Sequence, residues 1–229
     1  MLSLVGSGKT LMIIPQALIF DMDGLMLNSE PLYQQAWQAA AQDLGFTLEA
    51  ELYLSLVGRS SEETDRLFGQ MYGDQFPVQA FNDRWEEQWR SLVQQQGIPL
   101  QPGLLPLLDW VEQQGLPKAI GTSSNAAEAE LCLGLAGIRD RFAAIVTADQ
   151  VTAGKPAPDI FLAAAAQLGM RPAQCLVLED SNAGVQAAAA AGIPVVMVPD
   201  LQSPTAASQA IAQQIFASLH EVLTWLRGL

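Results

Sequence analysis

The sequence predicts an α/β fold, a parallel sheet with helices on both faces and one helical segment inserted after the first strand. Three observations predict it. Short runs of strand length recur along the chain, apolar at successive positions, as strands buried on both faces are. Helix-length stretches separate them, and several of these are closed by glycine. One long segment, residues 31–98, breaks the alternation and holds no convincing strand.

Taken in order, Ala17 to Phe20 is the first buried strand, and it ends at Asp21. Within residues 31–98, Trp37, Leu44, Leu52, Leu56, Leu67, Trp85 and Trp89 recur at roughly helical spacing. That segment reads as a helical insertion that leaves the sheet after the first strand and returns near Gln101, Pro102 and Gly103. Such an insertion is placed to overhang the strand ends as a lid. Helices follow at Leu104 to Gln114, Ala126 to Ala136, Pro158 to Leu168 and Ala183 to Ala191, with Gly115, Gly137, Gly169 and Gly192 as C-caps. The strands between and after them are Ala119-Ile120, Ala144 to Val146, Leu176 to Leu178 and Val195 to Val198. Ser218 and Glu221 form a capping box for a last helix running to Arg227. The organisation expected is therefore an N-terminal extension and start of the core at 1–15, the first strand and its motif at 16–30, a helical cap at 31–98 and the rest of the core at 99–229.

Composition narrows the function. Half of the 229 residues are hydrophobic and 15% are charged, which excludes disordered and low-complexity classes. Lys and Arg number 11 against 24 Asp and Glu, a net charge of -13 that argues against nucleic acid or an anionic membrane as partner. Cys132 and Cys175 stand far apart in apolar surroundings and read as buried free thiols of a reducing compartment. The N-terminal stretch has neither the residue order of a signal peptide nor the length of a membrane span, so a cytoplasmic protein is expected. Gly6 to Thr10 spell GSGKT, but a phosphate-binding P-loop requires Gly where Ser3 stands and a strand before it; an N-terminal extension is the better reading.

The chemistry lies at the carboxyl ends of the strands, where such sheets bind ligands. Asp21, Met22, Asp23 and Gly24 directly follow the first strand, so two carboxylates two residues apart share a face and Gly24 lets the chain turn. Carboxylates that close cannot both ionise freely, which separates a nucleophile from a general acid and calls for a cation. Thr122, Ser123, Ser124 and Asn125 follow the second strand and open a helix, whose N-terminus favours an anion. Lys155, one of only three lysines, precedes the helix opened by Pro158. Glu179 and Asp180 follow the fourth strand, and Ser181 and Asn182 open the next helix. Each motif alone has an ordinary reading as a turn, a cap or a surface lysine. Together they bring four carboxylates, a hydroxyl and an ammonium to successive strand ends, and Mg²⁺ suits so oxygen-rich a site. His220 is the only histidine and lies in the first turn of the last helix, so histidine-based mechanisms are set aside. Of the arginines in the insertion, Arg59 follows Gly58 in a loop and is the one best placed to meet a substrate.

DMDGLMLNSE at 21–30, TSSN at 122–125, GKPAPDIF at 154–161 and LEDSNAGVQAA at 178–188 resemble the haloacid dehalogenase superfamily of phosphotransferases. The resemblance is to the branch with a helical cap after the first motif. It implies a Rossmann-like three-layer core and a phosphatase that acts through an aspartyl phosphate. It assigns Asp21 as nucleophile, Asp23 as general acid and base, and Thr122 and Lys155 as partners of the phosphoryl group; beside it, the helix opening at Ser123, Ser124 and Asn125 and the loop residue Arg59 are expected as phosphate or substrate contacts. It places Mg²⁺ on Asp21, the backbone carbonyl of Asp23, Asp180 and, directly or at one remove, Glu179. Within the branch the chain is similar both to β-phosphoglucomutases and to sugar-phosphate or pseudouridine 5'-phosphate phosphatases. The mutases carry a histidine where the chain enters the cap; Tyr33 occupies that region here, which favours a phosphatase. The partner implied is a small phosphorylated metabolite, handled by a monomer. Asn28 stands where many relatives carry Asp, a difference at the hinge into the cap.

Overall fold

The computed structural model describes residues 14–56, 61–73 and 76–229. Along the chain run β1 (Ala17–Phe20), then α1 (Glu30–Asp43), α2 (Ala50–Leu56), α3 (Ser61–Tyr72) and α4 (Val78–Gln96). The chain then alternates through α5 (Leu104–Gln113), β2 (Lys118–Gly121), α6 (Ala126–Leu135), β3 (Ala144–Val146), α7 (Asp159–Gln167), β4 (Cys175–Glu179), α8 (Asn182–Ala190) and β5 (Val195–Met197). It closes with α9 (Ala206–Ile211), β6 (Gln214–Ile215) and α10 (Leu219–Arg227). The strands are all parallel, in the order β3-β2-β1-β4-β5-β6.

Strand alternation divides the interior into two layers. Leu18, Phe20, Ile120, Leu176, Leu178 and Val196 point to one face, where α5, α6 and α10 cover them. Ala17, Ile19, Ala119, Cys175, Val177, Val195 and Met197 point to the other, covered by α7 and α8. This is why the strands read as unbroken apolar runs: both sets are buried. Phe20 has no exposed surface and packs edge-on against Phe142 at 5.7 Å; its truncation to Ala would cost about 3–5 kcal/mol. Both cysteines are buried and free, as expected.

The inserted helices have their own aromatic core. Trp37 lies at its centre, with Tyr53, Phe68 and Phe81 rings 5.5, 6.0 and 5.6 Å away. The core-proximal parts of α1 and α4 instead join the layer over the sheet through Leu32, Ala36, Trp89 and Val93. Two linkers connect insert and core side by side: Leu27 bridges Leu100 antiparallel, the Asn28 amide donates to the Pro99 carbonyl at 2.8 Å, and the Gln101 amide to that of Met26 at 2.8 Å.

α9 and β6 are the elements the sequence did not announce. β6 is a two-residue edge strand, Gln214 and Ile215, too short for any apolar periodicity. The cap of α10 also differs in detail. Ser218 accepts the Glu221 amide, but the Glu221 carboxylate reaches back to the amide of Ala217 at 3.0 Å, one residue upstream of the usual partner.

Candidate active site

β1 is flanked by β2 and β4, and the connections run outward in opposite directions from it, so the crevice at its carboxyl end is the topological switch point. Asp21 stands there. Its amide continues the ladder onto the Leu178 carbonyl at 3.0 Å, which sets its carboxylate beside those of Glu179 and Asp180. Gly24 then takes φ +82°, and a Cβ at that position would lie 2.4 Å from Asp180 Oδ2. The turn thus needs glycine twice over, for its backbone and for the approach of Asp180.

Lys155, from the segment between β3 and α7, reaches into the same crevice with a side chain only 5% exposed. Its Nζ donates to Asp21 Oδ1 and, at 2.7 Å, to Glu179 Oε1, and it sits 4.8 Å from the centre of the Phe161 ring. Burial works against the ammonium, but Asp21 and Glu179 outweigh it and hold the lysine charged. Glu179 is fully buried. Its Oε2 accepts the amide and hydroxyl of Ser181 at 2.6 and 2.9 Å, and Ser181 in turn caps α8 by accepting the Gly184 amide at 3.0 Å. Burial pushes the Asp21 carboxyl up to about 8; Lys155 opposes this and Glu179 reinforces it. Burial and the neighbouring Glu179 and Asp21 likewise raise Asp180 well above the usual carboxylate range.

Asp23 is held between two hydroxyls. Ser29 Oγ donates to its Oδ1 at 2.7 Å and Ser124 Oγ to its Oδ2 at 2.8 Å. Burial raises its carboxyl, and these two hydrogen bonds pull part of the way back. Thr122 is buried at the end of β2, its Oγ1 accepting the Ser124 amide at 3.0 Å. Asn125 behaves differently from its neighbours: its side chain accepts the Glu128 amide at 3.0 Å and caps α6.

A cavity of about 600 Å³ opens onto Asp21, Asp23, Thr122, Ser123, Lys155 and Asp180. The structure therefore brings together the strand-end residues singled out in the sequence, while Ser124 faces Asp23 and Asn125 serves as a cap. Arg59 and the GSGKT stretch lie outside the described residues.

The far wall adds residues that sequence reasoning missed. Glu30, the first residue of α1, lines the cavity and accepts the Tyr53 hydroxyl at 2.7 Å, so α2 of the insert reaches the site through Tyr53. Asp200, after β5, lines it too. Gln101, in the returning linker, donates to the Gly24 carbonyl at 2.8 Å. No spacing rule marks these three, because each owes its place to a contact between distant segments. Ser29 carried a weak signal, as a hydroxyl in the first motif's run.

A divalent metal suits this donor set. One oxygen from each of Asp21, Glu179 and Asp180 lies within 4.8 Å of the others. The donors are hard carboxylates, and the upward push on Asp21 and Asp180, from burial first and from neighbouring carboxylates second, is what a hard cation relieves. Glu179 already spends both oxygens on Lys155 and Ser181, which makes Asp21 and Asp180 the more available pair.

Comparison with known proteins agrees with this geometry. A family model described as haloacid dehalogenase-like hydrolase matches residues 18–198. The chain is 36% identical over 183 residues to the fructose-1-phosphate phosphatase YqaB of Escherichia coli (strain K12), covering 79% of this chain and 95% of that protein. It is also 36% identical over 195 residues to a probable pseudouridine-5'-phosphatase of Drosophila melanogaster, covering 80% of each. Among solved structures, a putative β-phosphoglucomutase from Thermotoga maritima superposes with TM-score 0.80 at 29% identity, covering 93% of this chain and 99% of that one.

Proposed function

The chain belongs to the haloacid dehalogenase-like hydrolases, and from that premise we propose that it is a Mg²⁺-dependent phosphatase of sugar phosphates or nucleoside-like monophosphates, working through an aspartyl phosphate on Asp21. The observation that carries this reading is the buried Asp21 carboxylate held by Lys155 at the head of a cavity lined by Asp23, Thr122 and Asp180.

In the first half-reaction an Asp21 oxygen forms a bond to phosphorus as the ester O–P bond breaks. Asp23, its carboxyl raised by burial, gives a proton to the departing alkoxide. In the second half Asp23, now ionised, takes a proton from water as that water's oxygen attacks phosphorus, which releases inorganic phosphate and frees Asp21. Lys155 neutralises charge on the equatorial oxygens, while the Thr122 hydroxyl and the Ser123 segment at the start of α6 orient them. Asp21, the backbone carbonyl of Asp23 and Asp180 are assigned to Mg²⁺, with Glu179 supporting them through Lys155 and Ser181. The bound ion supplies further neutralisation of phosphoryl charge.

The inserted helices, residues 31–98, are assigned to a cap that closes over this cavity and sheds bulk water, with Arg59 directed at the leaving portion of the substrate. The net charge of -13 supports a protein that binds neither nucleic acid nor anionic membrane, and the two free thiols support a cytoplasmic setting. Among the described residues no helix is long and apolar enough to cross a membrane.

A phosphate-release screen over phosphorylated metabolites with Mg²⁺ tests the reading, with release from sugar phosphates or nucleoside monophosphates expected. The likeness to a putative β-phosphoglucomutase sustains a second reading, a phosphosugar mutase. Incubation with β-glucose 1-phosphate and a catalytic amount of the bisphosphate separates the two. Inorganic phosphate as the product supports the phosphatase; quantitative conversion to the 6-phosphate overturns it.

A further inference from the structure

Gln101 is remote from Asp21 in sequence and lies beyond the end of the insert, yet its side chain reaches the turn that follows Asp21 and Asp23. Its backbone is fixed there first. The amide of Gln101 donates to the Met26 carbonyl at 2.8 Å, and one residue earlier Leu100 bridges Leu27. The side-chain Nε2 then donates to the carbonyl of Gly24 at 2.8 Å. Gly24 is the residue whose Cα abuts Asp180, since a Cβ there would overlap Asp180 Oδ2. Three segments thus stand in series: the linker returning from the insert, the turn after β1, and Asp180 at the end of β4.

Met22, Leu25, Met26 and Leu27 around the turn are buried in the core, and beside Gly24 runs a cleft of about 190 Å³ that Gln101 and Asp200 also line. Along this cleft the Gln101 amide ties the returning linker to the Gly24 carbonyl. An amide nitrogen carries two hydrogens, so it can serve Gly24 and a second acceptor together. Asp200 lines the same cleft. Burial raises its carboxyl, the Gln101 amide draws it back, and its Oδ2 is buried with no hydrogen-bond partner.

We propose that Gln101 is a positioning residue that holds the Gly24 turn, and through it Asp180, in the geometry that binds the divalent metal. It touches neither substrate nor metal. It acts as an outer-shell partner, and it also ties the metal end of the site to the linker that returns from the insert. This rests on the reading of Asp21 and Asp180 as metal ligands.

The test compares two neutral substitutions in the full chain. Gln101→Met keeps the length and bulk of the side chain and removes the donor; Gln101→Ala removes both. Each is titrated with Mg²⁺ by the metal-induced rise in melting temperature, which needs no substrate, and then by the Mg²⁺ dependence of phosphate release. A donor role predicts that both variants melt near the wild type without metal and shift the Mg²⁺ midpoint upward by about tenfold in both assays. A space-filling role predicts that Met keeps the wild-type midpoint and Ala loses it, and that result overturns the proposal, as do unchanged midpoints in both. If Gln101→Met does not fold, Gln101→Leu takes its place with the same expectations. A wild type whose melting does not respond to Mg²⁺ would remove the metal reading itself, and is distinguished by appearing before any substitution is made.

Discussion

Gly184→Ala sets two physical effects of opposite sign against each other. Gly184 lies in the first turn of α8, where alanine would normally stabilise a helix by about 1 kcal/mol. Here a Cβ would fall 1.6 Å from Glu179 Oε1 and 1.9 Å from its Cδ, distances no side chain tolerates. Glu179 is fully buried and cannot swing to solvent without abandoning the 2.7 Å contact with Lys155 and the 2.6 and 2.9 Å contacts with Ser181. Breaking a buried pair of this kind costs about 3–5 kcal/mol. The net destabilisation expected is therefore about 2–4 kcal/mol, because the helix-propensity gain offsets only part of the loss. For a chain of this size that is a fall in melting temperature of roughly 4–16 °C. Calorimetry or thermal denaturation measures it, and phosphate release at a temperature where the variant remains folded should drop as well, since Lys155 loses one of its two anchors. A Gly184→Ala protein that melts at or above the wild-type temperature with full activity would show that the Glu179 pocket has room, and would refute the reasoning.

Other expectations follow from the same cluster. Asp21→Asn removes the attacking oxyanion with little change of volume, so phosphate release should fall by at least about 10³-fold while the circular dichroism spectrum is preserved; substantial residual turnover would reject the assignment. Exhaustive chelation should abolish activity and added Mg²⁺ restore it, measured by phosphate release before and after dialysis against EDTA. The metal-free protein should lose stability as pH rises: Asp21, raised from 3.8 to about 8, keeps in the folded state a proton that the unfolded chain releases, so its contribution declines across that window. Denaturant midpoints at pH 5 and pH 8 check this, and Mg²⁺ should recover more stability at pH 8 than at pH 5.

The parts of this molecule that were legible in the sequence are those where a local rule and the tertiary environment agree. β1 and β4 are buried on both faces, so burial alone wrote them as apolar runs. The catalytic candidates at their ends were legible because topology converts adjacency to a strand into adjacency in space, placing Asp21 beside Glu179 and Asp180 without any sequence proximity. The partners of those residues were not legible. Ser29 and Ser124 close on Asp23 from segments that meet only in the fold, and Tyr53 finds Glu30 only because the aromatic cluster around Trp37 fixes α2 against α1. β6 was hidden for another reason: a two-residue edge strand needs backbone partners rather than an apolar pattern.

The same division bears on how the site is built. Four carboxylates at one crevice would repel one another into protonation if nothing else were present, and burial alone drives Asp21, Asp23 and Asp180 that way. The chain answers with one ammonium, Lys155, shared between Asp21 and Glu179, and with hydroxyl donors for Asp23. Lys155 also draws Asp180 down, but burial and the neighbouring Glu179 and Asp21 outweigh it. A divalent cation held by Asp21 and Asp180 would complete the set, and under the phosphatase reading a phosphoryl dianion would then meet charges that are already arranged. Such preorganisation is what lets fixed groups stabilise an anionic transition state without paying for their own reorientation. It also gives wholly buried Glu179 a part in this arrangement: it is the second anchor of Lys155, and without it the ammonium would be held by Asp21 alone.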